Sequence, residues 1–410
     1  MQKELFSQAL HIASPFYIKK IDFNLEEKRL TIHIDFEKGT KFHYCEGTYN
    51  ELAKVHDTQE KEWRHLNFFE HECYLHARVP RVKLSDGKVR LIKMPWAGEN
   101  SGFTLLFEAL ILQLAQYMPV KNVADLIAEN DDKIWRILDK YVEKARELVD
   151  LSALKSVGID ETSKKKGHDY ISLFVDMEKR KTVFITEGKS SETVVNFVKD
   201  LKNHGADAVN IKDVSCDMSP AFIKGVKENL PNAEITFDKF HILKIINQAV
   251  DKVRKEEAQS HDILKSTKYI FLKNHRNLSK LQSKKLSELA MPKLNLKAIR
   301  ALHIRENFQE IYNAETQEDF EILLKKWYFW ATHSKLEPIK QAAYTIKRHW
   351  EGVIKWFESK INNGVLEGLN SVIQAAKAKA RGYKTTKNLK IIAYLLTADL
   401  NFESFNPHAK

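Results

Sequence analysis

Three acidic residues stand at places in this 410-residue chain where a carboxylate could meet a metal ion. The run LKSVGIDE reads as a strand leading into Asp160, and VNIKDVSC reads as a second strand leading into Asp217. A third acid, Glu367, lies on the helix NNGVLEGLNSVIQAAKAKARGY. Oxygen ligands suit hard cations such as Mg2+. Two such ions roughly 3.5 to 4 Å apart can activate a water or a 3′-hydroxyl and stabilise the leaving oxygen of a phosphodiester. The pattern points to metal-assisted phosphoryl transfer, with Mn2+ able to replace Mg2+. The chain holds 55 acidic residues and most strand-end aspartates are simply solvated, so that plainer reading stays open.

The Glu367 helix has two faces. Leu366, Leu369, Val372, Ile373, Ala376 and Ala380 recur at spacings of three and four, a stripe that packs on a sheet. Opposite them run Asn363, Glu367, Asn370, Ser371, Gln374, Lys377 and Arg381, a polar row ending in cations. That row suits DNA beside a metal, or it is an ordinary solvated face.

Strands and helices must position these groups. After Asp150 the arms YISLFVDM and KTVFITEG, joined by EKRK, predict a hairpin. A helix over about 192–203, the Asp217 strand, a helix opened by Ser219-Pro220, the strand AEITF and the helix KFHILKIINQAVDKVRKE follow. Three strands, then helix, strand, helix, strand and helix make a mixed sheet with helical crossovers, the order of a ribonuclease H-like core. In that topology the Asp160 and Asp217 strands are neighbours.

The expected fold class is this α/β core with flanking helices, plus an all-α insertion, a helix-turn-helix and a small β-containing N-terminal module. Residues 1–100 form the N-terminal module, where RLTIHIDF alternates as a half-buried strand. Residues 101–150 hold three short helices, with Pro119 ending the first, Asn122 capping the second and Asp131 or Asp132 capping the third. This is a helix-turn-helix or a plain helical hairpin. In the first case Lys133 to Arg146 is the recognition helix, with Lys133, Arg136, Lys140, Lys144 and Arg146 available for phosphates or base edges. Residues 151–255 begin the core, 256–350 are the insertion, and 351–410 return to the core. The insertion's Trp327, Tyr328, Phe329 and Trp330 are expected in its interior rather than on nucleic acid.

Composition narrows the partners. Sixty-six basic residues against 55 acidic give a net charge of +11, which favours polyanions such as nucleic acid. Three scattered cysteines exclude a disulfide framework and suit a reducing compartment. No apolar run approaches the roughly 18 residues of a membrane span, and MQKELFSQAL lacks a signal core. The expectation is a cytoplasmic, nucleoid-associated protein with no membrane partner.

The blocks GIDETSKKKGHDYISLFVD, CDMSPAFIKG, FDKFHILKIIN and NNGVLEGLNSVIQAAKAKARGY resemble the signature blocks of ISL-three family insertion-sequence transposases. WRHLNFFEHECYLHARVPRV and MPWAGENSGFT extend the likeness upstream. The resemblance implies an Asp-Asp-Glu triad of Asp160, Asp217 and Glu367 binding two Mg2+ ions. The enzyme would cleave double-stranded DNA at terminal inverted repeats and transfer the 3′-hydroxyl to target DNA, as a homo-oligomer. Asp238 and His241, in the DKFH block, would support the site or belong to the core. Asn370, Gln374, Lys377, Lys379, Arg381 and Lys384 would contact DNA. Relatives often carry paired cysteines near the N-terminus. Here Cys45 precedes Glu46, Gly47 and Thr48, and KLSDG replaces the second pair; His43, His56, His65, His71 and His76 could substitute in principle, but scattered histidines are more often surface or packing residues, so no zinc is expected. The alternatives are a non-catalytic, domesticated DNA-binding protein and a ribonuclease H-like nuclease without strand transfer.

Overall fold

Along RLTIHIDF, Leu30, Ile32 and Ile34 alternate with more polar neighbours, and all three are buried under one face of a six-stranded sheet. The computed structural model describes residues 2–47, 49–98, 100–165, 169–359 and 364–409. It divides into two units, the described parts of 1–145 with 401–410, and 146–400.

In the first unit α1 (Gln2–Ala9) precedes β1 (Phe16–Asn24), β2 (Arg29–Phe36), β3 (Lys41–Glu46), β4 (Tyr49–Phe68), β5 (His71–Lys83) and β6 (Val89–Leu91). Their order is β1-β2-β5-β4-β3, with β6 on β5. Among these strands β2 and β5 pair in parallel, and the other pairs are antiparallel. Along β5, Cys73, Leu75, Ala77 and Val79 occupy every second position and form the core with Trp63 of β4.

Three helices follow, α2 (Leu105–Tyr117), α3 (Val120–Ile127) and α4 (Asp131–Glu147). Thr104 caps α2 by accepting from Phe107 N. Asn122 is not a cap. Pro119, with φ −58°, already starts α3, so Asn122 lies inside the helix. The side chain of Asn130 accepts from Asp132 N at 2.8 Å and serves the start of α4. Residues 401–410, expected with the core's last segment, pack in this unit instead. The buried Asn406 amide donates to Leu105 O at 2.9 Å and to Tyr141 Oη at 2.6 Å.

His65 lies across β4 and β5 from the buried Cys73, with Nδ1 2.8 Å from Thr104 Oγ1. Burial, with Arg64 and His408 adding, pushes its pKa down to about 4. An unfolded histidine takes a proton below about 6.5 while the folded one stays neutral, so this contribution is intact above pH 6.5 and fades as pH falls towards 4. Denaturant midpoints at pH 7 and pH 5 are expected to differ, with His65 supplying up to about 3 kcal/mol across the full window. In His65→Gln the difference shrinks. An unchanged slope would refute the assignment.

The second unit is built on β7 (Ser156–Ser163), β8 (Tyr170–Asp176), β9 (Lys181–Glu187), β10 (Asp213–Cys216) and β11 (Glu234–Phe237). The strand order is β11-β10-β7-β8-β9. β7, β8 and β9 pair antiparallel, whereas β10 and β11 join in parallel. The crossovers are α5 (Glu192–Asn203) and α6 (Pro220–Asn229), and α7 (Lys239–Glu257) leaves the last strand. VNIKDVSC is shorter as a strand than its pattern suggested, because Ala208–Asn210 forms a 3-10 turn.

Six helices make the insertion and its exit, α8 (Lys268–Leu272), α9 (Lys280–Leu289), α10 (Lys297–Ile311), α11 (Gln317–His333), α12 (Glu337–Arg348) and α13 (Trp350–Ser359). The aromatic cluster divides here. Trp327 is fully buried and donates from Nε1 to Ile304 O, but Phe329 and Trp330 are 64% and 42% exposed. Finally α14 (Gly364–Lys379) lies on β7, and α15 (Thr386–Thr397) lies on β9. Among the described residues no helix is long and apolar enough to cross a membrane.

Candidate active site

Parallel pairing of β10 with β7 sets Ser215 opposite Gly158. Two residues further along each chain stand Asp217 and Asp160. Asp160 does not end its strand as expected, since β7 runs on to Ser163 and pairs there with β8 alone. β10 ends at Cys216, so the flank of β7 is open where the two carboxylates emerge. Asp217 Oδ1 accepts from Ser219 N at 2.9 Å in the turn before α6.

Both oxygens of Asp160 are held. Oδ1 accepts from Glu161 N at 2.9 Å, and Oδ2 accepts from Asn370 Nδ2 at 2.6 Å. Burial raises its pKa to about 6, and the Asp217 charge adds to the rise. Glu161 is shifted upward too, first by burial and then by Asp217 and Asp160. This third acid was missed at the sequence level, although it adjoins Asp160 in GIDE. His241 partly balances the group. Its Nδ1 lies 3.1 Å from Asp238 Oδ2, and this bond raises its pKa, with Asp217 and Asp160 adding. The site keeps a surplus of negative charge in a half-buried setting, and a divalent cation fits that surplus.

Glu367 is not gathered with the pair. It lies exposed in the first turn of α14, and among the described residues no three His, Cys, Asp or Glu side chains are grouped to hold a metal. Its neighbour Leu366 is buried, and a Cβ on Gly158 would sit 2.9 Å from Leu366 Cδ2, so the start of α14 rests on β7 just before Asp160. Asn363, the first of the polar row, lies outside the described residues.

The rest of that row ties α14 to β7. Besides Asn370, Gln374 donates to Thr162 Oγ1 at 2.6 Å and to Ser163 O at 3.0 Å, and Lys377 donates to Ser163 O at 2.6 Å. Three side chains expected on DNA are therefore committed to the strand that carries Asp160. Lys379, Arg381 and Lys384 are exposed. On α4, Lys133 pairs with Glu129 at 2.8 Å, Arg136 Nε donates to Asp132 O at 3.4 Å, and Lys140 lies 3.8 Å from Glu108. All three line a cavity of about 290 Å³ that Glu62 and Tyr74 also line.

Residues 157–393, more than half the chain, match the DDE-type ISL3 family model described as transposase. Residues 92–142 match the helix-turn-helix domain of transposase family ISL3. The transposase for insertion sequence element IS1001 of Bordetella parapertussis is 28% identical over 375 residues, covering 88% of this chain and 90% of that protein. The transposase for IS1557 of Mycobacterium tuberculosis is 25% identical over 371 residues, 82% of each chain.

Residues 44–85 match the zinc-finger of the IS204, IS1001, IS1096 and IS1165 transposases. This match points to zinc binding and overturns the expectation of none, which rested on the missing cysteine pairs and on reading the nearby histidines as surface or packing residues. Within that span Cys45 of β3 faces Asn50, and Cys73 of β5 faces His65, towards opposite ends of β4. That separates the two thiols by on the order of 45 Å along the strand. One ion does not take both in this arrangement. With its second unit matched almost throughout and its helical segment matched beside it, the chain belongs to the ISL3 family of transposases.

Proposed function

We propose that this transposase cleaves double-stranded DNA at the terminal inverted repeats of an insertion sequence and joins the freed 3′-hydroxyl to target DNA. Asp160, Asp217 and Glu367 are its catalytic carboxylates on a ribonuclease H-like core. The observation that carries the reading is the matched register of Asp160 and Asp217, with the surplus negative charge around them. The strand order and the names of the insertion-sequence relatives support it. Divalent cations bound there would polarise the phosphodiester and the attacking hydroxyl.

The chain's own residues do the rest. Asn370 fixes one oxygen of Asp160, while Gln374 and Lys377 hold α14 against β7. Glu367, in the first turn of α14 beside the buried Leu366, would supply the third carboxylate to a divalent cation held by Asp160 and Asp217. Arg381, Lys384 and Lys379 lie along the DNA backbone, and α4 contributes Lys133, Arg136 and Lys140 to end recognition. The active form is a homo-oligomer, because two element ends are joined in one complex.

The test is incubation of the purified chain with labelled inverted-repeat duplex and a target plasmid in Mg2+ or Mn2+. Cleaved ends and joined products are expected, and both depend on the metal. Cleavage without joining would leave a nuclease. Binding with neither would leave a DNA-binding protein.

A further inference from the structure

The start of α7 and the insertion helices enclose a cleft of about 840 Å³ that the proposed chemistry does not use. Its amides are set by an internal cation. Arg305 of α10 is fully buried, and its guanidinium donates to Phe271 O at 2.7 Å, Lys273 O at 3.1 Å, Asn274 Oδ1 at 3.0 Å and Gln309 Oε1 at 3.1 Å. Gln309 Nε2 also donates to Asn274 Oδ1 at 3.0 Å. Both amide oxygens are thereby occupied, which leaves the Asn274 nitrogen and one Gln309 N–H as donors.

On the α7 side Asp238 is 1% exposed, and its Oδ1 has no hydrogen-bond partner among the described residues. A buried acceptor in this state gains when an occupant brings a donor. Phe240, 49% exposed, has no ring contact among the described residues. Lys239 is half-buried, 4.3 Å from the centre of the Tyr312 ring, and neither it nor Arg276 has a carboxylate partner among the described residues.

The lining also carries Glu306 and Glu310 beside Lys239, which stands over the Tyr312 and Trp356 rings, and Arg276, so the fixed donors, the unmet acceptor and the open aromatic face are the features that complement a nucleotide base. A base edge carries both acceptors and donors, and its plane stacks on aromatic rings. The volume suits a small ligand rather than a duplex. We infer that this cleft holds one unpaired nucleotide of the DNA strand being processed, stacked on Phe240 and read by Asn274, Gln309 and Asp238. The inference rests on the proposed reaction at Asp160 and Asp217. The other oxygen of Asp238 holds His241, and Asp238 itself follows Phe237, the register partner of Cys216, so it emerges beside Asp217 at the same end of the sheet.

The experiment uses the full chain with Ca2+ in place of Mg2+ and 2-aminopurine placed in turn at each position across the cleavage point of an element-end duplex. A single-stranded oligonucleotide with the same probe forms a second arm. With wild type, fluorescence is expected to change at one or two positions next to the cut. Phe240→Ala and Asn274→Ala remove that change and leave duplex affinity within about twofold, while Phe240→Trp retains it. Single-strand binding weakens roughly 5- to 150-fold in Phe240→Ala, as loss of one stacked base predicts. Melting curves confirm that the variants fold.

An identical probe response in wild type and Phe240→Ala overturns the inference. So does a bound duplex in which no position responds, or a response to free deoxynucleotide alone. Failure of the wild type to bind element ends would defeat the functional reading instead. The single-strand arm still tests the cleft in that case, because it needs neither end recognition nor cleavage.

Discussion

Asp160→Asn is expected to lower cleavage of element-end DNA by about 10³-fold or more, several kcal/mol of transition-state stabilisation, while duplex binding persists. The change removes one negative charge from the acid pair and leaves the shape of the side chain. The amide oxygen it introduces can still accept from Glu161 N. The new N–H group would face Asn370, whose Oδ1 is buried without a partner among the described residues, so a turn of the Asn370 amide satisfies both. The variant is expected to fold, and in metal-free buffer near pH 7 to be at least as stable as wild type, because burial and the Asp217 charge both oppose ionisation of Asp160. Thermal melts and a gel cleavage assay on one preparation check both halves. Cleavage at the wild-type rate would remove Asp160 from the catalytic set, and loss of folding would make it structural.

Period and punctuation carried most of the second unit in the sequence. The hairpin at β8 and β9 and the helix Glu192–Asn203 stand where β-branched alternation and helical spacing placed them. The misses have physical causes. The apolar alternation of Val157 and Ile159 stops at Asp160, yet pairing with β8 extends β7 to Ser163. On α14 the polar face was legible but not its partner. Only the tertiary packing of α14 on β7 reveals that Asn370, Gln374 and Lys377 bond to that strand. The long hairpin of β4 and β5 was obscured by charged and aromatic residues on its exposed face. Counting cysteines misjudged residues 44–85, since likeness to a zinc-finger family extends beyond the metal ligands. The Arg305 network was invisible, because a basic residue in a polar helix reads as solvated until its burial is known.

Gly158→Ala tests whether the seating of α14 governs the reaction. A Cβ there would stand 2.5 Å from Met177 Sδ and 2.9 Å and 3.0 Å from the two terminal carbons of Leu366. Met177 ends in a flexible thioether and can retreat. Leu366 is 1% exposed and anchors the first turn of α14, so the helix itself must shift by a few tenths of an ångström. Overpacking of this kind destabilises a core by about 1–3 kcal/mol. The larger effect falls on catalysis. Glu367 adjoins Leu366 and Asn370 holds Asp160, so the same displacement moves two members of the proposed site; a misplacement of about 1 Å can cost about 10²-fold in rate, and a few tenths of an ångström a part of that. The expected result is a modest loss in melting temperature with a much larger loss of cleavage at unchanged DNA affinity. Leu366→Val, which shortens the opposing side chain, is expected to recover part of the activity in the Gly158→Ala background. If cleavage falls only in proportion to the folded fraction, or if Leu366→Val deepens the defect, the position of α14 does not limit the reaction.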